Sequence, residues 1–594
     1  MAYSRNVALP VLLILIDLAL YANTLQASFH FDDWEVIVEN PALRRVNDLP
    51  AIWETFNTRF LVGLTFAFNY ALGKHNVFGY HLFNILCHIA SSLLLYALVH
   101  LTLRTPALRG NRLARPPGTL AFCASLIFLV HPIQTQAVTY LWQRAASLAT
   151  FFCLASVVLY AKARLSSRIS LYAASLATTL FGMLTKEIAV TIPFMLVLYE
   201  FSFFNTGKET LKKRVALLSP FLGTLVVIPW VFSQAGSGGL NLLKPPPMSV
   251  ENRFLYWLTQ VNVVRTYLRL LFFPIRQNLD YDYPLVRHLG PDLLFSFFLL
   301  IGILLVGIKI FKRHRLASFG ILWFFLTLGP ESLTALPDLL FEHRLYLPMV
   351  GFSLFLPSIF FPLLKDPKRL TAFFVGIGIL LSIATIRRNG IWKEEVSLWQ
   401  DVVQKSPRKP RGYDNLGVAY GRRGEYEKAI VFLQKAIELN PDYAEAHHDL
   451  GIAYGEIGQT EKEIASYEKA IRLKPGQAKA YNNLGVAYGE RGEYDKELTY
   501  AHKAIEIDPR YAKAYNTLGV AYGEMGQQEK AAESFRKAIR FDPENAKAHL
   551  NLGILYVRKK ERAGVLKQIE TLRALDRLDF AGLLERELRT GLEK

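Results

Sequence analysis

Two carboxylates stand side by side in the stretch Ser28-Phe29-His30-Phe31-Asp32-Asp33-Trp34, directly after an apolar run from Val7 to Leu25. Such a run reads as a membrane span, which places Asp32 and Asp33 at a membrane surface, where charge is costly unless chemistry or a counter-ion holds it there. An ionised carboxylate within hydrogen-bond reach of a hydroxyl can act as a general base, and this pair is read as the reaction centre. Arg59, Arg144, Lys186, His343 and Arg344 fall in segments expected on the same side. Cationic groups there can bind a phosphate leaving group and stabilise its developing charge. A base together with a phosphate clamp points to transfer from a phosphate-activated donor. Asp17, inside the first run, reads instead as a paired structural charge.

The elements that must position these groups fall into two kinds. The chain has 594 residues, 52% hydrophobic and 20% charged, with a net charge of +18, but the charge is unevenly spread. From Ser406 onward there are 32 Lys and Arg against 29 Asp and Glu, so three of the eighteen net charges lie there and fifteen belong to the first part. Those fifteen sit in loops between apolar runs, a pattern of the positive-inside rule rather than of nucleic-acid binding. Apolar runs near 7–25, 80–103, 119–132, 148–163, 169–185, 188–204, 215–233, 292–311, 316–334, 346–363 and 370–387 predict eleven spans. With eleven, the basic loops all share one side: Arg5, Arg104/Arg109/Arg112/Arg115, Lys162/Arg164/Arg168, Lys208/Lys212/Lys213/Arg214, Lys309/Lys312/Arg313/Arg315 and Lys365/Lys368/Arg369. Arg253 to Pro274, broken by Gln260, Asn262, Arg265 and Arg269, is then expected to lie along the interface or dip back, as is Phe60 to Leu72. The amino terminus is expected in the cytoplasm and the carboxyl terminus outside. Leu25-Gln26-Ala27 is a poor cleavage site, which argues against a removed signal peptide.

The last third repeats. Leu416, Leu450, Leu484, Leu518 and Leu552 recur every 34 residues, as do Pro407, Pro441, Pro475, Pro509 and Pro543, the signature of tetratricopeptide repeats. Stacked helix pairs of this kind form a superhelix with a concave groove. Side-chain amides in a column on the first helices, Asn415, Asn482, Asn483, Asn516 and Asn551 with Asp449, can hold an extended peptide by its backbone, or can simply be solvated consensus positions. The fifth copy degenerates after Tyr556, and Leu578 to Leu592 reads as a capping helix. The expected fold is therefore all-α: a polytopic membrane helical bundle over 1–390, a connecting half-repeat helix over 391–406, five repeats over 407–576 and a cap over 577–594.

Other constellations carry less. His75, His81 and His88 are spaced poorly for a metal site. Gly236-Ser237-Gly238-Gly239 with Pro245-Pro246-Pro247 lacks the Lys-Ser/Thr pair of a phosphate loop. Cys87, Cys123 and Cys153 lie in apolar runs and indicate no disulfide framework. Without a nucleotide fingerprint the donor must arrive activated, with the membrane as its source.

Six motifs in order carry a resemblance. Phe31-Asp32-Asp33 with Glu39-Asn40-Pro41, Phe78-Gly79-Tyr80-His81-Leu82-Phe83-Asn84, His131-Pro132-Ile133-Gln134-Thr135-Gln136-Ala137-Val138, Thr185-Lys186-Glu187, Asp280-Tyr281-Asp282-Tyr283-Pro284 and Glu342-His343-Arg344-Leu345-Tyr346-Leu347-Pro348 resemble the transmembrane and tetratricopeptide-repeat O-mannosyltransferases and their bacterial relatives. These belong to the polytopic C-type glycosyltransferase superfamily. The resemblance implies a polyprenyl-phosphate monosaccharide as donor, used on the outer face, with the acidic motif of the first outer loop, here Asp32 and Asp33, as the catalytic feature. It also places Lys186, Glu187 and Arg344 on recurrent motif positions. Two departures stand out: Arg59-Phe60-Leu61 where the family has Arg-Pro-Leu, and Gln143-Arg144-Ala145-Ala146 where it has Gly-Arg-Ala-Asp.

The function expected from the sequence is a membrane glycosyltransferase using a polyprenyl-phosphate sugar, with the lipid bilayer and a polypeptide acceptor as partners and a divalent cation left open. A bacterial inner membrane with periplasmic repeats fits the lack of any Asn-x-Ser/Thr site; in a eukaryote the repeats would face the endoplasmic reticulum lumen. The competing reading is a non-catalytic membrane-anchored scaffold, for which eleven spans are far more than needed. A transporter would show inverted repeats with broken helices.

Overall fold

Runs of Leu, Ile, Val, Phe and Ala with few charges leave the backbone no partner but itself, and a helix satisfies it fully. The computed structural model describes residues 2–111, 113, 117–205, 210–234, 249–336 and 338–592. Among them are helices and turns, without a strand. Arg112, Arg115, Lys208 and the Gly236–Gly239 and Pro245–Pro247 stretches lie outside the described residues. The chain divides into two compact units, Met1–Ser406 and Pro407–Lys594.

In the first unit six helices are long and apolar enough to cross a membrane: Val77–Thr102, Leu141–Ser166, Leu211–Val231, Pro291–Lys309, Arg315–Leu333 and Pro367–Ile391. Gly118–Val130 with Pro132–Thr139 makes a seventh if the pair, bent by 51°, is one span. Ala8–Thr24, Ile169–Met183 and Pro348–Leu364 are shorter apolar helices, and Ile192–Phe203 has only 12 residues. Each of the eleven expected segments is thus helical, with lengths that leave the number of crossings open. The 23-residue helix Val250–Phe272 is not among the apolar set.

The bend after Val130 has a local cause. Pro132 cannot continue the preceding helix, and the His131 ring accepts the Ile133 amide at 3.2 Å to cap the next turn. The chain from Pro132 to Gln143 is thereby turned across one end of the bundle. Close packing sets the other wall. A Cβ on Gly320 would lie 2.5 Å from the Gly351 carbonyl oxygen, so the Arg315–Leu333 and Pro348–Leu364 helices touch backbone to backbone. Glu331 near the end of the first helix is brought beside His343 and Arg344 before the second.

Loops gather at two ends. At one, Tyr160, Arg164 and Arg214 surround the buried Glu200, and Arg315 donates to the Ser202 carbonyl. At the other, segments near residues 28–34, 57–59, 131–143, 186–187, 277–282, 331–344 and 392–406 bond to one another. Glu395–Lys405, expected as a connector, packs inside this first unit: Trp399 meets Phe31 edge-on at 5.6 Å, and Asn278 donates to the Ser406 hydroxyl at 2.9 Å.

The second unit consists of helix pairs, from Pro410–Arg422 with Tyr426–Leu439 to Ala546–Arg558 with Arg562–Ala574, followed by Leu578–Leu592. The turn within each of the first four pairs uses a glycine at positive φ, Gly424, Gly458, Gly492 and Gly526. The fifth pair keeps its two helices with Lys560 at φ 58 in that place, so loss of the sequence signature after Tyr556 is not loss of the repeat.

Candidate active site

Asp32 and Asp33 point to different surroundings. Asp33 is fully buried; its Oδ1 accepts the Trp142 amide at 2.7 Å and its Oδ2 the His30 amide at 3.0 Å. Burial pushes its carboxyl well above the usual carboxylate range, the two amides pull the other way, and the Asp32 charge adds to the rise. Asp33 therefore pins the turn. Asp32 is only partly buried; its Oδ2 accepts the Tyr140 hydroxyl at 2.7 Å, and its amide donates to the Tyr140 hydroxyl oxygen at 3.1 Å. Burial first and then the two aspartate charges raise the Tyr140 phenol far above its ordinary range, so it remains a donor. Phe31, just before, is held at φ 49, a conformation a bulky residue keeps only when its surroundings impose it, here through Trp399. His30 Nε2 donates to the Trp392 carbonyl at 2.6 Å, and the Trp34 indole to Glu395 at 2.8 Å.

Beyond Trp142 opens a cavity of about 400 Å³ whose lining includes Arg59, Lys186, Glu187, Glu331, His343 and Arg344. Three cations from distant stretches thus share a wall with three carboxylates, Glu187, Glu331 and Asp338. Arg59 pairs with Glu187 at 3.2 Å and its guanidinium lies 5.1 Å from the Trp142 ring centre. Thr58 adds a hydroxyl to Glu187 at 2.8 Å. Burial alone would raise the Glu187 carboxyl, but the Arg59 charge and these hydrogen bonds hold it below its ordinary value. Lys186 meets Glu331 at 2.6 Å, and Arg344 approaches the other oxygen of Glu331 at 3.7 Å while donating to the Leu339 and Asp338 carbonyls at 3.1 and 2.9 Å. Burial lowers the Lys186 ammonium against the pull of Glu331.

His343 is kept neutral, by burial first and then by Lys186, Arg344 and Arg59. The Nδ1 of His343 and the Nε of Arg59 are buried without a hydrogen-bond partner among the described residues.

The Glu342-His343-Arg344 turn is anchored from behind. The fully buried Glu342 accepts from Tyr281 at 2.6 Å, the Asn278 amide at 2.7 Å and Gln277 at 2.8 Å, and Gln136 accepts the His343 amide at 2.7 Å. The Asp280-Tyr281-Asp282 and His131 to Val138 motifs therefore serve the site by holding this turn.

Arg144 requires a correction. Its charge and neighbouring motif suggested a phosphate ligand, yet it is fully buried and its guanidinium donates to Asn84 and Asn69 at 2.7 Å, the Tyr80 carbonyl at 2.9 Å and Thr65 at 3.1 Å, between the Phe66 and Phe83 rings. It is a core cross-link fixing three helices. Arg144→Leu leaves these acceptors unpaired, each at a cost of ~1–3 kcal/mol, and is expected to lower the thermal unfolding midpoint of the purified chain by many degrees; a midpoint within a degree or two of the parent would contradict that role.

Asp17 is also fully buried, with the His88 ring 3.7 Å away, and His88 in turn meets the Tyr346 hydroxyl at 2.7 Å. Sequence reading gave no role to Glu331 or Tyr140 and placed Glu342 only within a motif. The signal for Glu331 was a lone acid closing an apolar run.

The repeat unit corrects the amide column in part. Thr517 donates to Asn482, and Asn551 to Asn516, both at 3.0 Å, and Asn483 meets the His448 ring at 3.2 Å, each pair joining adjacent repeats. Asp449 engages His448 at 2.8 Å, and Asn415 donates to the Arg411 carbonyl of its own helix at 2.8 Å. These groups work first as a seam between repeats, with donors and acceptors to spare for a ligand. Among the described residues no group of three or more His, Cys, Asp or Glu side chains is placed to hold a metal ion.

Comparison with known proteins agrees with this layout. Family models described as TPR repeat match residues 417–458, 456–492 and 524–560, and others described as Tetratricopeptide repeat match 478–511 and 502–533. A protein O-mannosyl-transferase of Caenorhabditis elegans is 28% identical over 71% of this chain and 61% of its own length. Protein O-mannosyl-transferase Tmtc3 of Drosophila melanogaster is 27% identical over 68% of this chain and 52% of its own, and TMTC4 of Homo sapiens 24% over 68% and 62%. The chain thus spans between half and two thirds of the length of these three relatives. Tetratricopeptide repeats in the last third, and O-mannosyl-transferases as relatives over most of the chain, fit the transmembrane and tetratricopeptide-repeat O-mannosyltransferase family that the six motifs resemble.

Proposed function

We propose that the chain is an integral membrane glycosyltransferase that moves a monosaccharide, mannose by analogy with its relatives, from a polyprenyl-phosphate carrier to a Ser or Thr hydroxyl of a polypeptide. The observation that carries this reading is the convergence of Arg59, Lys186 and Arg344, drawn from three distant stretches, on one cavity next to the turn that carries the carboxylates. Asp32, oriented by Tyr140, takes the acceptor hydroxyl proton as the oxygen attacks the anomeric carbon. The bond from that carbon to the phosphate oxygen breaks, and the polyprenyl phosphate leaves with its added negative charge facing the three cations and the unpartnered His343 nitrogen. The proton on Asp32 returns to solvent. Asp33 holds the turn, and Glu187 and Glu331 space the cations.

The segments rich in Lys and Arg gather away from this site, which supports a cytoplasmic amino terminus, an outward-facing site and periplasmic repeats in a bacterial inner membrane. The repeats would hold the polypeptide acceptor and raise its effective concentration. The test is transfer of labelled sugar from synthetic polyprenyl-phosphate mannose, glucose and N-acetylglucosamine to Ser/Thr peptides by the purified full-length chain. Consumption of one donor with label on a hydroxyl is the expected result; no consumption of any, with peptide still captured, would favour the scaffold reading.

A further inference from the structure

The end of the membrane unit away from the carboxylates holds a second cavity, of about 480 Å³. It lies where the Arg315–Leu333 helix begins and the Pro348–Leu364 helix ends, ~24 Å from Glu331 along the first of these at 1.5 Å per residue. Arg313, His314, Arg315 and Lys365 line it, and among the described residues that line it none is acidic. Arg315 is committed to the Ser202 carbonyl at 2.8 Å, which leaves Arg313 and Lys365, both exposed, as the reachable cations. The nearest acid in sequence, Asp366, caps its own helix by accepting the Lys368 amide at 2.9 Å.

Cations that converge on one cavity without a carboxylate repel one another, and a bound anion relieves that cost. Their surroundings add to it. The Arg315–Leu333 helix starts with no side-chain cap and no acid in its first turn, and its first residues line the same cavity, so the positive end of its dipole acts in the same direction. Lys365 closes its helix at φ 56, where a residue with a side chain is strained and glycine is usual. The cavity exceeds what a bare phosphate ion fills. Leu363, two residues before Lys365, and Ile308, five residues before Arg313, are 69% and 56% exposed and present apolar surface as acyl chains require.

We propose that this cavity binds the phosphate group of an anionic phospholipid in the leaflet opposite the reaction centre. The ligand class is a phosphodiester headgroup, held by Arg313 and Lys365 with Arg315 behind them, and its chains lie along Leu363 and Ile308. The site does not depend on the glycosyltransferase reading and lies apart from its residues. It would fix the depth of the four helix ends around it, an electrostatic anchor for a bundle whose basic loops face an anionic surface.

The experiment is thermal unfolding of the full-length chain in a neutral detergent with dioleoylphosphatidylglycerol, dioleoylphosphatidylcholine or inorganic phosphate added. Phosphatidylglycerol is expected to raise the midpoint by about 2–4 °C more than phosphatidylcholine. The Arg313→Gln/Lys365→Gln double variant should keep the lipid-free midpoint and lose that difference, whereas Lys212→Gln/Lys213→Gln, which removes two exposed charges elsewhere, should keep it. Equal shifts from both lipids, a difference retained in the first double variant, or one lost equally in the second would each overturn the proposal. Inorganic phosphate giving the full shift in the parent and none in the first variant would assign the cavity to a soluble phosphate ligand and overturn the lipid source.

Discussion

Asp32→Asn is expected to lower the transfer rate by ~10²–10⁴-fold, the usual contribution of a positioned general base, while leaving the thermal midpoint near that of the parent. The neighbouring substitution should behave differently. Asp33 accepts two backbone amides, from Trp142 and His30, on its two oxygens. An asparagine has one acceptor oxygen, so Asp33→Asn leaves one buried amide facing a donor, at ~1–3 kcal/mol. Yield and midpoint should fall with it, and activity per folded molecule should fall less than for Asp32→Asn. The comparison is decisive because the residues are adjacent: full loss in Asp33→Asn at an unchanged midpoint, with Asp32→Asn active, would exchange their roles.

Arg344→Gln is expected to reduce kcat/KM for the lipid-linked donor by ~10²–10³-fold, the scale of one lost donor aimed at developing charge. Arg344→Lys should rescue little, since a lysine cannot hold the Asp338 and Leu339 carbonyls and also approach Glu331 from its other side. Steady-state kinetics at varied donor, with circular dichroism as the control, reads this out. Near-parent kinetics in Arg344→Gln would remove the arginine from the phosphate clamp.

The repeats were legible because a 34-residue period survives in Leu, Gly, Tyr and Pro positions that packing cannot spare, and even the fifth copy kept its helices when its turn glycine gave way to Lys560. The Asp32-Asp33 loop stood out for a different reason: adjacent carboxylates after an apolar run have few bland explanations. Sequence could not divide Asp32 from Asp33, since that depends on Trp142 and Tyr140, over a hundred positions away. Nor could it tell a cavity arginine from a core one. Arg59 and Arg144 read alike until Asn69, Asn84 and Thr65 are seen to surround only the second. Glu331 stayed hidden because its importance depends on where the Arg315–Leu333 helix ends and on the close packing of Gly320 on Gly351, neither of which shows in a one-dimensional pattern.

The anomeric configuration of the product, read by NMR on a glycosylated Ser/Thr peptide, tests the central claim most directly. Direct attack by an acceptor hydroxyl that Asp32 has deprotonated is a single displacement, so a β-linked polyprenyl-phosphate sugar should give an α-linked product. Retention of the β configuration would contradict it and make a carboxylate the nucleophile of a covalent intermediate.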